Sequence, residues 1–394
     1  MVICERCFCD TEVISVIRNK AEIGDCPLCK CKNVHIYDTD KYEDLSMMFD
    51  ELISIYTPVS LLPDSYPKSD TRLLKTELIN NWNIFNKKSE SDVYNIITAI
   101  CKEKYEYNAE LFDQPVGIQE LYDQEYLSKH SLLTTNSWDD FVEALKTKNR
   151  FHTHYVDLNL LERFCSYIRK PYKTGEMFYR CRISTEEGIP IEEMGAPPID
   201  KTTDGRANAR GIRCLYLGDT AETTIYEARA GAYDYVTVGK FRLKKDIIVV
   251  DLKKINQISP FLEGLDCLEY AINKEHLNKI NDEMGKIMRR SDSALDYVPT
   301  QYITDFVKSI IHDDVAEYAG IEYKSVMHSD GYNLALFDPD LFECVETKVY
   351  GIDTNKQTLE KAKQMGLIKD GSVTGELFLK QADLIILSIY PKLV

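Results

Sequence analysis

A short stretch of the sequence, residues 203–230, concentrates cations and places a carboxylate close behind them. Three arginines fall within eight residues: Arg206, Arg210 and Arg213. Guanidinium groups bind phosphate oxygens in a planar, bidentate way. The whole chain of 394 residues has a formal net charge of −16, so an anionic ligand would need a local cationic pocket of this kind. We therefore expect Glu227, the carboxylate that follows, to lie beside that ligand.

Composition argues against several classes of function. The acidic balance disfavours unspecific binding to nucleic acid or to an anionic membrane, and no apolar run is long enough to span a bilayer. The first residues, MVICERCFCDTEV, lack the basic and apolar regions of a secretory signal. We therefore expect a cytoplasmic protein without a membrane partner, and the net charge disfavours a nucleic-acid partner.

Cysteines cluster at the start of the chain, where six of the twelve fall within the first 31 residues. Four of them form two CxxC pairs, and this spacing is typical of a tetrahedral zinc site in a reducing compartment. The predicted ligands are Cys4, Cys7, Cys26 and Cys29. Four protein ligands leave no open position on the ion, so we expect a structural zinc in a zinc-ribbon-like segment over residues 1–45. The alternative ligands are Cys9, Cys31 and His35.

The rest of the chain divides by its hydrophobic periodicity. Residues 46–170 carry apolar residues at helical spacing, as in SMMFDELISIY and ESDVYNIITAI, and predict a helical domain. The predicted N-caps of three helices are Ser46, Ser69 and Ser91. Residues 171–350 mix strand-like runs such as YVTVGKFRL and DIIVVDL with helical patterns, without a steady βαβ alternation. The sequence therefore predicts an α+β fold, with Glu227 on the helix AETTIYEARA.

Four stretches occur in the order seen in one protein family: MFYRCRIS, the arginine-rich stretch, YVPTQYITDFVKS and GIEYKSVMHSDGYNLALFDPD. The chain in this respect resembles RES-domain proteins, named for an arginine, a glutamate and a serine. The resemblance implies an ADP-ribosyltransferase-like mixed sheet with helices for a RES catalytic domain over residues 171–350. The amino-terminal part resembles the zinc-bearing helical domain, labelled HEPN/RES amino-terminal, that precedes some RES domains. Family members characterised as toxins consume NAD+ and stop growth.

The resemblance also implies roles for single residues. The implied catalytic residues are Glu227, Arg206 and Ser325. The implied substrate-binding residues are Arg180, Arg182, Tyr216 and Gln301. At two positions a second residue could correspond to the family residue. Arg180 and Arg182 share the segment YRCR, and Ser329 lies four residues after Ser325.

NAD+ cleavage needs side chains of these types. Arginines can bind its pyrophosphate, and a carboxylate can stabilise the positive charge that develops on the ribose as the nicotinamide–ribose bond breaks. Nicotinamide leaves without protonation because its ring nitrogen is already cationic, so one carboxylate can suffice. Tyr216 can stack on a ring of the dinucleotide, and Ser325 can hydrogen-bond a phosphate or ribose.

We therefore predict an NAD+ glycohydrolase or phosphorylase of the RES type, acting as a growth-arresting toxin in toxin–antitoxin or antiviral defence. Two alternatives remain open: an ADP-ribosyltransferase that modifies a protein or nucleic acid, and a zinc-ribbon module that binds nucleic acid or a partner protein. The expected partners are NAD+ as substrate and an antitoxin or a phage or host trigger protein. We also expect a homo-oligomer.

Residues 351–394 form a separate pattern of strand, helix, connection and strand. It resembles part of the Rossmann domain of a prephenate-type dehydrogenase, in which Asp353 would bind a ribose. Thr354 and Gly366 are the predicted limits of its helix. The preceding strand and its G-x-G-x-x-G loop are missing from the pattern, so we predict a partial Rossmann-like tail without a dinucleotide site.

Overall fold

The computed structural model describes residues 1–135, 137–230, 234–286 and 293–352, together with residues 360, 361, 364, 371 and 372. The chain divides into two compact units. The first unit consists of Met1–Phe141, Thr153–Leu161 and Lys254–Lys279. The second unit consists of Val142–His152, Glu162–Lys253 and Ile280–Val394. Within the described ranges, no helix has both the length and the apolar character needed to cross a membrane.

The first unit contains two small antiparallel sheets of three strands each. One sheet has the order β1-β3-β2, formed by β1 (Val2–Cys4), β2 (Ile23–Gly24) and β3 (Val34–Asp38). The other has the order β4-β6-β5, formed by β4 (Thr57–Pro58), β5 (Arg72–Leu73) and β6 (Pro115–Gly117). Its helices are α1 (Thr11–Asn19), α2 (Asp44–Ile53), α3 (Leu74–Asn81), α4 (Glu90–Ile100), α5 (Lys102–Tyr107), α6 (Glu110–Asp113) and α7 (Gln124–His130).

The helical periodicity of the first unit is confirmed, but the predicted caps are wrong. Helix α2 buries Leu45, Phe49, Leu52 and Ile53 on one face, as the spacing predicts. Helix α4 begins after Ser89, because Ser89 and Asp92 form a reciprocal capping box that satisfies two free backbone N–H groups. Two of the predicted capping serines, Ser46 and Ser91, therefore lie inside helices, and the third, Ser69, lies in a 3₁₀ turn.

The second unit is built on a nine-stranded mixed sheet, which confirms the α+β prediction. Its strands are β7 (Arg169–Tyr172), β8 (Met177–Ser184), β9 (Leu215–Gly218), β10 (Tyr235–Leu243), β11 (Ile247–Asp251), β14 (Gly320–Lys324), β15 (Tyr332–Leu336), β16 (Phe342–Ile352) and β17 (Gly371–Ser372). Their order across the sheet is β17-β16-β10-β8-β9-β15-β14-β11-β7. The pairs β11–β14 and β16–β17 are parallel and the other pairs are antiparallel.

Helices and one hairpin complete the described secondary structure. Three helices have residues in both units: α8 (Trp138–Thr147), α9 (Leu158–Tyr167) and α11 (Cys267–Gly285). The second unit also contains α10 (Ala221–Ala228) and α12 (Val298–Ser309). Helix α12 is followed by the hairpin of β12 (Ile311–His312) and β13 (Val315–Ala316), with Asp313 and Asp314 at positive φ in its turn.

The core of the second unit lies on one face of its sheet. Phe178, Leu217, Phe241 and Leu334 are buried together there, and Met194 from the segment after β8 packs into the same cluster. Helix α10 packs against β8, β9 and β10. This packing fixes α10 beside the middle of the sheet, where β8 and β9 meet at the single pair Tyr179–Gly218.

Most of the predicted Rossmann-like tail lies outside the described residues, including Asp353, Thr354 and Gly366. Its first two residues, Gly351 and Ile352, end strand β16 and pair in parallel with Gly371 and Ser372 of β17. The tail prediction otherwise stays a prediction.

Candidate functional site

Helix α10 carries Glu227 to the wall of a cavity of about 320 Å³ in the second unit. Thr220 caps the helix by accepting the backbone N–H of Thr223. Thr224, Glu227 and Ala228 line the cavity together, because residues three and four positions apart share one face of a helix.

Two side chains donate hydrogen bonds to the same oxygen of Glu227. Ser325 Oγ lies 2.6 Å from Glu227 Oε1, and Asn333 Nδ2 lies 2.8 Å from it. Ser325 Oγ also accepts the backbone N–H of His328 at 3.1 Å, which leaves its single proton for the carboxylate. The two bonds fix the orientation of the carboxylate and concentrate on Oε1, so Oε2 is free of both donors.

Sequence reasoning missed Asn333, which lines the cavity at the start of β15. A polar residue one position inside an otherwise apolar strand was the available signal, because alternation places Asn333 and Leu334 on opposite faces. Of the two candidate serines, Ser325 is buried and bonded to Glu227, whereas Ser329 is exposed.

Strand β8 brings Arg180 into the cavity and leaves Arg182 outside it. Both arginines donate to carbonyl oxygens of the following segment, Arg180 to Gly195 at 2.8 Å and Arg182 to Glu193 at 2.7 Å. Burial, with Arg182 nearby, lowers the pKa of Arg180 to about 10. The Arg180 guanidinium therefore stays charged at neutral pH, with donors left for a ligand.

Arg206 lines the same cavity from a tight turn. The turn is closed by the backbone bond from Gly205 N–H to the Asn208 carbonyl, at 2.9 Å. Gln301 on α12 donates its side-chain N–H groups to the carbonyls of Gly205 and Asn208, at 2.9 and 2.8 Å. The Arg206 guanidinium donates to the carbonyl of Met284 near the end of α11.

Tyr216 lines the cavity and also clamps this turn. Its hydroxyl accepts the backbone N–H of Ala207 at 3.0 Å and donates to Asn208 Oδ1 at 2.7 Å. A side chain on Gly205 would collide with that hydroxyl at 2.6 Å, which explains the glycine. Burial raises the pKa of Tyr216 well above its usual value, so it is neutral. Tyr216 and Gln301 therefore position Arg206, whatever else Tyr216 contacts.

The other two arginines of the opening stretch do not line the cavity. Arg213 donates from Nε to the carbonyl of Pro197 at 3.0 Å, and Arg210 is exposed. The cations of the cavity are instead Arg180 and Arg206, which come from separate elements. Tyr297 and Tyr323 complete an aromatic part of its wall, and burial raises the pKa of Tyr323 above its usual value, so its hydroxyl stays protonated.

A separate candidate site lies in the first unit, where the two CxxC turns meet. The Sγ atoms of Cys4, Cys7, Cys26 and Cys29 all lie within 4.8 Å of one another. The Cys4–Cys7 and Cys7–Cys26 separations are both 3.8 Å, and Cys4–Cys29 is 3.4 Å. A tetrahedral ion with about 2.3 Å bonds to sulfur places its ligands about 3.8 Å apart. These four cysteines could therefore hold a metal ion.

Two of the alternative metal ligands have other partners. Cys9 Sγ is exposed and lies 3.3 Å from the carbonyl of Asn83, and His35 Nδ1 lies 3.4 Å from Glu5 Oε1. Burial raises the pKa of the Cys7 thiol to about 11, so a metal ion bound there would have to displace its proton.

Comparison with known families gives one match. The family model for the RES domain matches residues 178–355. Residues 178–355 therefore form a RES domain, and all of them except Lys254–Lys279 belong to the second unit. Nothing among curated proteins and nothing among solved structures matches the chain.

The RES domain is associated with NAD-related toxins and with NAD-related enzymatic activity. Its match begins at Phe178 on β8 and includes every residue that lines the 320 Å³ cavity, from Arg180 to Asn333. The four clustered cysteines lie outside it. The two candidate sites thus belong to different parts of the chain, and the cavity is the candidate active site of the RES domain.

Proposed function

We propose that the RES domain cleaves the nicotinamide–ribose bond of NAD+. The observation that carries this proposal is the presence of Arg180, Arg206 and Glu227 in the wall of one cavity. Two guanidinium groups favour a ligand with two negative charges, such as a pyrophosphate. A carboxylate beside them suits a group that becomes positive during the reaction.

Binding precedes the reaction and uses the cationic side of the cavity. Arg180 and Arg206 would hold the pyrophosphate, while Tyr297 and Tyr323, which also line the cavity, would contact the nicotinamide or the adenine. The Arg206 turn is already fixed by Tyr216 and Gln301. Binding of the ligand therefore costs less conformational entropy.

The reaction breaks the bond between C1′ of the ribose and the nicotinamide nitrogen. The bonding electron pair stays on that nitrogen, so nicotinamide leaves neutral and positive charge develops on the ribose. The Glu227 carboxylate stabilises this charge through the oxygen that Ser325 and Asn333 leave free. In hydrolysis a water oxygen then bonds to C1′ and one proton passes to solvent; in phosphorolysis a phosphate oxygen forms that bond.

Purified full-length protein incubated with NAD+ tests the proposal. We expect release of nicotinamide, with ADP-ribose as the second product in phosphate-free buffer. A product carrying phosphate at C1′ when phosphate is added would identify phosphorolysis, and label on an added protein or nucleic acid would identify transfer. Intact NAD+ after prolonged incubation in all three conditions would contradict the proposal.

We propose further that the activity arrests growth in cells that make the protein. Inducible expression should lower cellular NAD+ before growth stops, and both effects should vanish in the Glu227→Gln variant. Growth arrest with unchanged NAD+ would separate the toxic effect from the proposed reaction.

The proposed metal is zinc in a structural role. Four thiolates suit zinc and leave no coordination position for a substrate. Cys4 and Cys7 lie on β1 and the 3₁₀ turn after it, and Cys26 follows β2, so the ion would link the two edge strands of a small three-stranded sheet.

Arg180→Ala and Arg182→Ala provide a matched pair for the binding step. Each variant loses one bond to a carbonyl of the segment after β8, but only Arg180 lines the cavity. We expect Arg180→Ala to weaken NAD+ binding at least about tenfold through the lost phosphate contact, and Arg182→Ala to change it less than about threefold. Calorimetric titration measures both. If both variants lost the same NAD+ affinity, the loss would come from the disturbed segment after β8 and not from a missing contact with NAD+.

Gln301→Glu tests the support of the Arg206 turn. The substitution keeps the shape of the side chain but replaces the N–H donors that serve two carbonyls. We expect KM for NAD+ to rise about tenfold with a smaller change in kcat, because the displaced group is Arg206 and not Glu227. The neighbouring Tyr302→Phe serves as control. A fall in kcat with unchanged KM would contradict this role.

A further inference from the structure

A second cavity in the second unit is larger than the candidate active site and shares no lining residue with it. Its volume is about 720 Å³, within the range of pockets that hold small organic ligands. It lies where β7, β11 and the hairpin of β12 and β13 meet the end of α12. Ala319 lines it and Tyr323 lines the active-site cavity, four residues or about 13 Å further along the same extended segment.

The walls of this second cavity are mainly apolar. Its floor includes the buried side chains of Tyr172, Ile247 and Tyr318. Val315 of the hairpin lies on its rim and is 67% exposed, although it is β-branched and apolar. A ligand with an apolar body would cover this surface and release the water against it.

Two lysines at the rim give the cavity its charge. Lys245 and Lys308 line it and form no ion pair with a described residue. Two acidic residues of the lining are already paired, Asp246 with Lys173 at 2.8 Å and Glu317 with Arg169 at 2.5 Å. Within the lining, these two lysines therefore outnumber the one acidic residue left, Asp338. Asp305, which is not a lining residue, also interacts electrostatically with Lys308.

We propose that this cavity binds a small amphipathic organic anion, with its apolar part against Tyr172, Ile247 and Tyr318 and its acidic group between Lys245 and Lys308. The two lysines favour a ligand with a negative charge, and the apolar floor favours a ligand whose remaining part is apolar. The proposal is independent of the reaction at the NAD+ cavity, since no lining residue is shared.

Decanoate is the test ligand, with 1-decanol as the neutral ligand of the same chain length. Binding to the full-length protein is followed by displacement of the fluorescent apolar sulfonate 8-anilinonaphthalene-1-sulfonate. We expect decanoate to displace the probe at concentrations at least about tenfold lower than decanol, because only the carboxylate can pair with the lysines. Equal displacement by the two ligands would overturn the proposal.

The K245E/K308E variant should weaken decanoate binding at least about tenfold. K201E/K244E makes the same change of net charge at exposed lysines outside the cavity and should leave binding within about twofold. Ala316→Trp, at an exposed hairpin position on the rim, should block the cavity without changing charge. Equal loss of decanoate affinity in the two charge variants would refute the site.

A decanoate analogue carrying a photoreactive diazirine should label residues 245–248 or 315–319. Labelling only at other residues would also refute the site.

Discussion

Glu227→Gln is expected to lower the rate of nicotinamide release at least about a hundredfold while NAD+ affinity stays within about tenfold. The ribose cation that Glu227 stabilises exists only near the transition state, so the substitution acts on turnover more than on binding. Loss of one well-placed electrostatic stabiliser costs on the order of 3 kcal/mol, which corresponds to this factor. The glutamine carbonyl can still accept from Ser325 and Asn333, so the local structure is kept.

Glu222→Gln is the control for this prediction. Glu222 lies on the same helix, α10, and does not line the cavity. The Glu222→Gln variant should keep the dissociation constant for NAD+, measured by calorimetry, and the rate of nicotinamide release near the wild-type values. A Glu227→Gln protein that turns over NAD+ at a near wild-type rate would remove Glu227 from the mechanism.

Removal of the metal is expected to disorder residues 1–45 while the RES domain stays folded. Structural zinc in small cysteine sites contributes on the order of 10 kcal/mol to folding, more than a sheet of three short strands can replace. Each chain should carry about one zinc. Chelation should release the ion and make residues 1–45 sensitive to protease, and nicotinamide release by the remaining RES domain should persist.

Cys4→Ser and Cys9→Ser separate ligand loss from cysteine loss. Cys4 belongs to the cluster of four sulfurs, whereas Cys9 is exposed and bonded to Asn83. Cys4→Ser should reduce the bound zinc to well below one per chain, and Cys9→Ser should keep it. Metal-free wild-type protein whose first 45 residues resist protease as well as the metal-bound form would contradict the structural role.

The elements of the second unit were predictable because their signals are local. YVTVGKFRL forms β10 over the predicted residues, and AETTIYEARA forms α10 with Glu227 on its cavity face. In both segments the residue types over a few neighbouring positions were enough to predict the element. The capping error at α4 has a local cause too, since SES offers two serines and only the first has an acidic residue three positions later that completes a capping box.

The arrangement of the site could not be read from the sequence because it depends on contacts between distant segments. Arg213 looks like a ligand-binding cation, yet its guanidinium binds the carbonyl of Pro197. Gln301, which the resemblance implies is a substrate contact, supports the Arg206 turn through its side-chain amide. Asn333 carries no motif of its own, and only the pairing of β15 with β9 and β14 brings it to Glu227.

The order of the chain has a consequence for the time at which activity can first appear. Arg180, the Arg206 turn and Glu227 leave the ribosome early, whereas Ser325 and Asn333 are synthesised about a hundred residues after Glu227. Until then β9 lacks its partner β15, and the Glu227 carboxylate lacks both of its donors. A nascent chain that has not yet reached Asn333 therefore lacks part of the cavity wall. For the proposed growth-arresting enzyme, we therefore expect no activity until synthesis has passed Asn333 and β15 has paired with β9.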